Sequence, residues 1–392
     1  MDPYIDPGAL DPSSPFHAAK LANLAAADSA HAERAERVEA LPSKVVVQTT
    51  DRCNLDCVMC QLPQGRKRAS MSWDQFEHIG KQLLPTLIEL HPTNVGEPLC
   101  WPWFDRMCAE LERHGVVLDL TTNGTLLTGH HLDAVVPIAR DVKVSFDGAT
   151  ASTFERVRRG ANFAQVCRHV EALTRRLAQV RVRRPVLALQ MTIMRSNYRE
   201  LPALVALAAE LGATRVKAYH LFSFDPALDH ECMVLDQGAW PEVLAVAEAE
   251  GRARGIDLQL AEPARDVPSA QGLHITTCHL PWHEAWIDID GAVLPCHSHG
   301  GDVAGNIREQ SFAEIWNGTL YRLIRRGFRT GRPGWSCTGC GMNLGKDGEH
   351  QAVPYDPESF LSPQGRAEAG LDEPSPWRWS GRMKPFDLQG RR

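Results

Sequence analysis

The 392-residue sequence predicts an α/β protein, a partial parallel barrel followed by a smaller cysteine-bearing unit. Three observations carry that expectation. From residue 44 onward, short apolar runs alternate with helical patterns, the rhythm of βαβ units with right-handed crossovers. Near Asp225 the rhythm breaks into shorter elements. The cysteines, eleven in all, fall largely into two groups, one early and one late.

Residues 16–40 are Ala-rich and amphipathic, which predicts one or two helices packed on the main body. Strands are expected over 45–49, 116–120, 142–146, 185–193 and 216–221. Helices are expected over 73–90, 132–139, 163–179 and 201–211. In a sheet of this kind, ligands gather at the carboxyl ends of the strands. After Asp225 a helix over 240–254 leads to a strand over 258–260. Two short strands, 285–288 and 292–295, flank Asp290-Gly291, a pair that signals a hairpin turn. A helix over 312–327 and a Cys337-x2-Cys340 knuckle follow. The division expected is 1–43, an N-terminal helical extension; 44–224, the barrel; 225–350, the cysteine-bearing domain; and 351–392, a tail rich in Pro, Gly and charge.

Composition excludes several classes. A net charge of −6 gives no sign of a nucleic-acid partner, which would favour a basic face. No apolar run approaches the roughly 20 residues that cross a bilayer, and the acidic, Pro-rich start is no secretory signal. A cytoplasmic protein is expected, where clustered cysteines mean metal or redox chemistry rather than disulfides.

Cys53-Asn-Leu-Asp-Cys57-Val-Met-Cys60 directly follows the first expected strand, where an α/β barrel places its active-site loop. Thiolates are soft, anionic ligands suited to iron–sulfur clusters, and three of them on a 4Fe–4S cluster leave one iron open to a small molecule. A zinc knuckle is the alternative.

This triad resembles the signature of the radical S-adenosylmethionine (SAM) superfamily, Cys-x3-Cys-x2-Cys with a bulky residue before the last cysteine, here Met59. The resemblance implies a partial (β/α)6 radical SAM barrel. It also implies that SAM chelates the open iron, and that electron transfer, from a reductant such as flavodoxin or ferredoxin, yields a 5′-deoxyadenosyl radical that abstracts a substrate hydrogen. Companion motifs occur in the family's order. Gly96-Glu97-Pro98 is similar to its Gly-Glu-Pro, which lines the SAM amino group. Thr122-Asn123-Gly124 is similar to its Thr-Asn-Gly. Ser145-Phe146-Asp147-Gly148 is similar to its Ser-Ile-Asp-Gly, which lies near the SAM ribose and carboxylate. Arg195 and Asn197 fall where the family often contacts SAM; Arg158 matches an Arg before Gly that follows the fourth strand in relatives, and is expected to pair with a carboxylate.

Cys278, Cys296, Cys337 and Cys340 resemble the SPASM/Twitch extension of radical SAM enzymes. No cysteine follows Cys340, so four thiolates imply one auxiliary 4Fe–4S cluster, with a four-cysteine zinc site as the alternative. The pattern is nearest to Twitch-type aminocyclitol (carbinol) dehydrogenases of antibiotic biosynthesis. Oxidation needs a group to take a proton. His220 and Tyr219, at the end of the strand expected over 216–221, are the candidates, both expected toward the barrel mouth. The leading expectation is a radical SAM oxidoreductase that dehydrogenates or epimerises a small sugar, aminocyclitol or nucleoside. The alternative is a maturase of a ribosomally made precursor peptide; such enzymes often carry an N-terminal recognition domain, for which residues 1–43 are too short.

Overall fold

The computed structural model describes residues 8, 10–60, 62, 68–180, 185–221, 223, 225–233, 239–261, 278–296 and 303–331. Helix α1 (His17–Ala32) precedes β1 (Lys44–Val47), α2 (Trp73–Leu83), β2 (Glu89–His91), α3 (Phe104–His114), β3 (Val117–Thr122), α4 (Gly129–Val135) and β4 (Ala139–Ser145). The chain continues through α5 (Ala151–Val157), α6 (Phe163–Leu177), β5 (Val186–Ile193), α7 (Leu201–Glu210), β6 (Arg215–His220), α8 (Trp240–Arg254) and β7 (Asp257–Ala261). It then forms α9 (Leu280–His283), β8 (Glu284–Ile287), β9 (Ala292–Leu294), β10 (Gly305–Asn306), α10 (Phe312–Trp316) and α11 (Thr319–Arg329).

The ten strands of the described residues form one sheet in the order β10-β9-β8-β1-β2-β3-β4-β5-β6-β7. Strands β1 to β7 are parallel, the partial barrel expected from the alternating pattern. Strand β8 joins the other edge parallel to β1, pairing Lys44 with Glu284 and Val47 with Ile287. Strands β9 and β10 return antiparallel. The β8–β9 turn closes at Asp290-Gly291 as expected: Gly291 has φ +86°, and its N–H donates to Asp288 O at 2.9 Å.

Several elements differ from expectation for local reasons. The helix expected to run to residue 90 stops at Leu83, because Pro85 has no N–H for a helical hydrogen bond. The released residues supply β2. Helices α3 and α5 were not expected, although Phe104, Met107, Cys108 and Leu111 bury one face at helical spacing. The helix expected over 312–327 is two, since Gly318 takes an extended conformation (φ −68°, ψ 176°) between α10 and α11.

The two sheet faces carry different chemistry, and this alternation positions the site. On β5, Leu187, Leu189, Met191 and Ile193 pack under the helices in the main core, whereas Gln190 and Thr192 face the concave side. That side bears a charged lattice. Lys44 Nζ reaches Glu89 Oε1 at 2.7 Å and Asp119 Oδ2 at 3.0 Å, Lys143 pairs with Asp119, and Lys217 lies 3.8 Å from Asp141. Lys44 and Lys143 hold the Asp119 carboxylate ionised against its burial. No helix among the described residues is long and apolar enough to cross a membrane.

Candidate active site

The cysteine loop leaves β1 and is stitched to the segment after α5. Asp56 N–H donates to Arg159 O at 3.0 Å and Val58 N–H to Val157 O at 2.9 Å. Within it, Cys60 N–H donates to Cys57 O at 3.1 Å, which curls the loop back on itself. Met59 packs with Val58 against Val157, Met194 and Leu221. Cys53, Cys57 and Cys60 line one cavity of about 360 Å³.

The loop bearing Gly96-Glu97-Pro98 lies directly beneath. Glu97 N–H donates to Arg52 O at 2.8 Å. A Cβ at Gly96 would stand 2.7 Å from Thr50 O and 2.9 Å from Arg52 O, and φ there is +85°. Gly96→Ala is therefore expected to cost about 2–4 kcal/mol of stability through left-handed strain and a backbone clash. A denaturation midpoint equal to wild type would show that the two loops part easily. The Glu97 carboxylate is buried and turned inward. It accepts from Asn123 N–H and Thr122 Oγ1, each at 2.7 Å, and from Leu99 N–H at 3.3 Å. Burial pushes it up to about 7 against those donors. It thus ties the loop after β2 to the end of β3. Pro98 opens the short 3-10 turn Pro98–Cys100 behind it.

Asn123, placed by that bond, aims its amide at the triad: Nδ2 is 3.8 Å from Cys53 Sγ and 2.9 Å from Asn54 Oδ1. On the opposite side, Arg158 Nη1 is 3.8 Å from Cys57 Sγ while Nη2 pairs with Asp147 Oδ2 at 2.7 Å. Asp147 is fully buried and accepts from Thr192 N–H at 2.6 Å. Burial pushes its carboxyl up despite Arg158 and Thr192. Ser145 lines the cavity from the end of β4.

Other expected residues lie elsewhere. Asn197 is buried, its amide donating to Asp147 O at 3.0 Å and Thr192 O at 2.9 Å and accepting from Met194 N–H at 2.7 Å. It braces Asp147 and does not line the cavity. Arg195 is bound to the 226–231 turn, with Nε donating to His230 O at 2.9 Å. Tyr219 and His220 cannot both face the mouth, because adjacent strand residues point to opposite faces. Tyr219 faces the concave side, pairing in register with Thr192. Partial burial, then Asp141 and Asp119, push its phenol up to about 12, so it holds its proton at neutral pH. His220 is turned into the helical layer, where its ring meets Trp240 edge-on at 5.2 Å.

The cavity instead receives His91 and Gln190, which sequence reasoning missed. His91 Nδ1 lies 3.4 Å from Asp119 Oδ1, leaving Nε2 as the second ring nitrogen. Its signal was position: it is the last residue of β2, at the carboxyl end of a parallel strand. Of the late cysteines, Cys278 lies two residues before α9 and Cys296 two residues after β9. Cys337 and Cys340 lie outside the described residues.

The triad suits an iron–sulfur cluster by its own chemistry. Burial pushes the Cys57 thiol up to about 11 and raises Cys53, and the neighbouring thiols raise both further, so thiolates at this spot require added positive charge. Cluster iron would supply that charge. Asn123 and Arg158 supply the N–H groups that commonly tune cluster sulfurs.

Comparison with known proteins agrees. Residues 47–208 match the radical SAM superfamily, and residues 278–341 match SPASM, an iron–sulfur cluster-binding domain. The chain is 26% identical over 298 residues to the PqqA peptide cyclase of Gluconobacter oxydans, covering 72% of this chain and 79% of that one. It is 25% identical over 320 residues to the tungsten-containing aldehyde ferredoxin oxidoreductase cofactor-modifying protein of Pyrococcus furiosus, covering 76% and 86%. The fold also matches native anSMEcpe with bound AdoMet and Kp18Cys peptide, at TM-score 0.58 and 16% identity, covering 82% of this chain and 95% of that one. These relatives do not single out the aminocyclitol dehydrogenases that the cysteine pattern suggested. Residues 47–208 are a radical SAM domain and residues 278–341 a SPASM domain, so the chain is a radical SAM enzyme whose cofactors are 4Fe–4S clusters and S-adenosylmethionine.

Proposed function

We propose that the enzyme modifies a peptide, abstracting a hydrogen atom from it as the first step of a crosslink or related change. The observation that carries this reading is the similarity to peptide cyclases across 72% of the chain. It displaces the small-sugar oxidation expected first from the cysteine count. The bound cluster and SAM supply the 5′-deoxyadenosyl radical.

The chain's own residues divide the remaining work. Cys53, Cys57 and Cys60 hold the cluster, and Asn123 and Arg158 stabilise charge on its sulfurs. Met59 and its apolar neighbours keep water from the inner side of the loop. The Gly96 backbone and Ser145, which line the cavity, would border SAM, with Asp147, Asn197 and Arg195 acting as positioning residues. His91, oriented by Asp119, exchanges a proton at Nε2, with Tyr219 as a second proton holder on the concave face. Cys278, Cys296, Cys337 and Cys340 ligate one auxiliary cluster, and a flavodoxin or ferredoxin supplies electrons.

A second reading, a small-molecule substrate, is favoured by the similarity to the cofactor-modifying protein of Pyrococcus furiosus. The reconstituted enzyme, given SAM, reductant and any short peptide encoded beside its gene, should release 5′-deoxyadenosine. The peptide should lose hydrogens, seen as a mass change by mass spectrometry. 5′-Deoxyadenosine without any change in such peptides, together with turnover of a small metabolite, would favour the second reading.

A further inference from the structure

Asp105, in the first turn of α3, and His130 and His131, at the start of α4, bring three candidate ligand atoms within 4.8 Å of one another. They lie in the helical layer, apart from the cysteine cavity. His131 Nδ1 is 2.8 Å from Asp105 Oδ1, and His130 Nε2 is 3.4 Å from Asp105 Oδ2. Donors bound tetrahedrally about 2.0–2.1 Å from zinc stand roughly 3.3–3.4 Å apart, so little movement is needed to close such a shell. The two imidazole rings lie 4.2 Å apart between centroids, tilted by 44°, each turning one nitrogen to the same carboxylate.

One Asp–His hydrogen bond would satisfy His131, whose ring is held by the edge of Phe104 at 5.8 Å and whose N–H donates to Thr128 O at 3.1 Å. The His130 side chain is 75% exposed and has water available, yet it too points at Asp105. Two donors are thus preset by packing, and the third is close at hand.

We propose that Asp105, His130 and His131 form a surface site for a divalent transition-metal ion of the zinc class, with water completing the shell. Two imidazoles and one carboxylate are borderline donors that suit zinc, nickel or copper, whereas calcium and magnesium call for oxygen shells. The ion takes the place of the proton between His131 and Asp105 and clips α3 to α4, the helices on either side of β3. Because it binds only the folded chain, it raises stability with its concentration.

The cluster-loaded enzyme is titrated with zinc ion by calorimetry beside His130→Ala and Asp105→Asn. Wild type is expected to bind one more zinc per chain than the variants, or to bind it at least about tenfold more tightly, the smallest loss that changes at metal sites commonly cause. Its unfolding midpoint should rise with zinc more than theirs. His130→Ala alters an exposed side chain, so unchanged iron content and SAM binding confirm its fold. Equal zinc binding by wild type and both variants, or none by wild type, overturns the proposal. Neither result bears on the radical SAM chemistry.

Discussion

Replacing Cys57 by serine is expected to remove the SAM-binding cluster and abolish 5′-deoxyadenosine formation while leaving the fold intact. The change is nearly isosteric, so packing is preserved. The chemistry is not: a hydroxyl is harder and far less acidic than a thiol, and iron–sulfur clusters favour soft thiolates. The loss in SAM cleavage should exceed about 100-fold, since even changes in outer-shell partners cost metal sites 10–100-fold. Iron and sulfide analysis and chromatography of 5′-deoxyadenosine measure it. Cys53→Ser and Cys60→Ser should behave alike. Cys167→Ser, on helix α6 away from the cavity, is the control and should retain activity. Wild-type cleavage by the Cys57 variant would mean that the triad does not hold the catalytic cluster.

Asp147→Asn should be the most damaging change to stability. It removes the carboxylate from Arg158 and leaves a buried guanidinium without its counter-ion, a loss of about 3–5 kcal/mol. The asparagine keeps an oxygen for Thr192 N–H, so the deficit isolates the charge. Arg158 also faces Cys57, and a cluster-ligated Cys57 is anionic. The cluster-loaded variant should therefore lose less than the cluster-free one. Denaturant midpoints of both forms provide the comparison, and equal losses would mean that Arg158 does not interact with the Cys57 sulfur.

Much of this site was legible in the sequence because its residues sit at strand ends, and strand ends follow from apolar runs bounded by polar turns. Cys53, Cys57 and Cys60, Asn123, Ser145 and Arg158 are separated in the chain and share one cavity wall. Orientation was less legible. Tyr219 and His220 are neighbours in sequence and strangers in space, because a single step along β6 exchanges the concave side for the helical one. Glu97 and Asn197 sit in recognisable motifs, yet their side chains are spent on the protein itself. His91 went unseen because the apolar run before it reads equally as the end of a helix until Pro85 is given its full weight.

Strand β1 carries the cysteine loop and is flanked by β2 on one side and β8 on the other. Its second neighbour is encoded late, so during synthesis β1 keeps a bare edge until Glu284–Ile287 has emerged. Pairing so distant in the chain is slow to form and leaves an edge open to misassembly meanwhile. The strand that carries the cysteine loop is thus among the last parts of the sheet to have both edges covered.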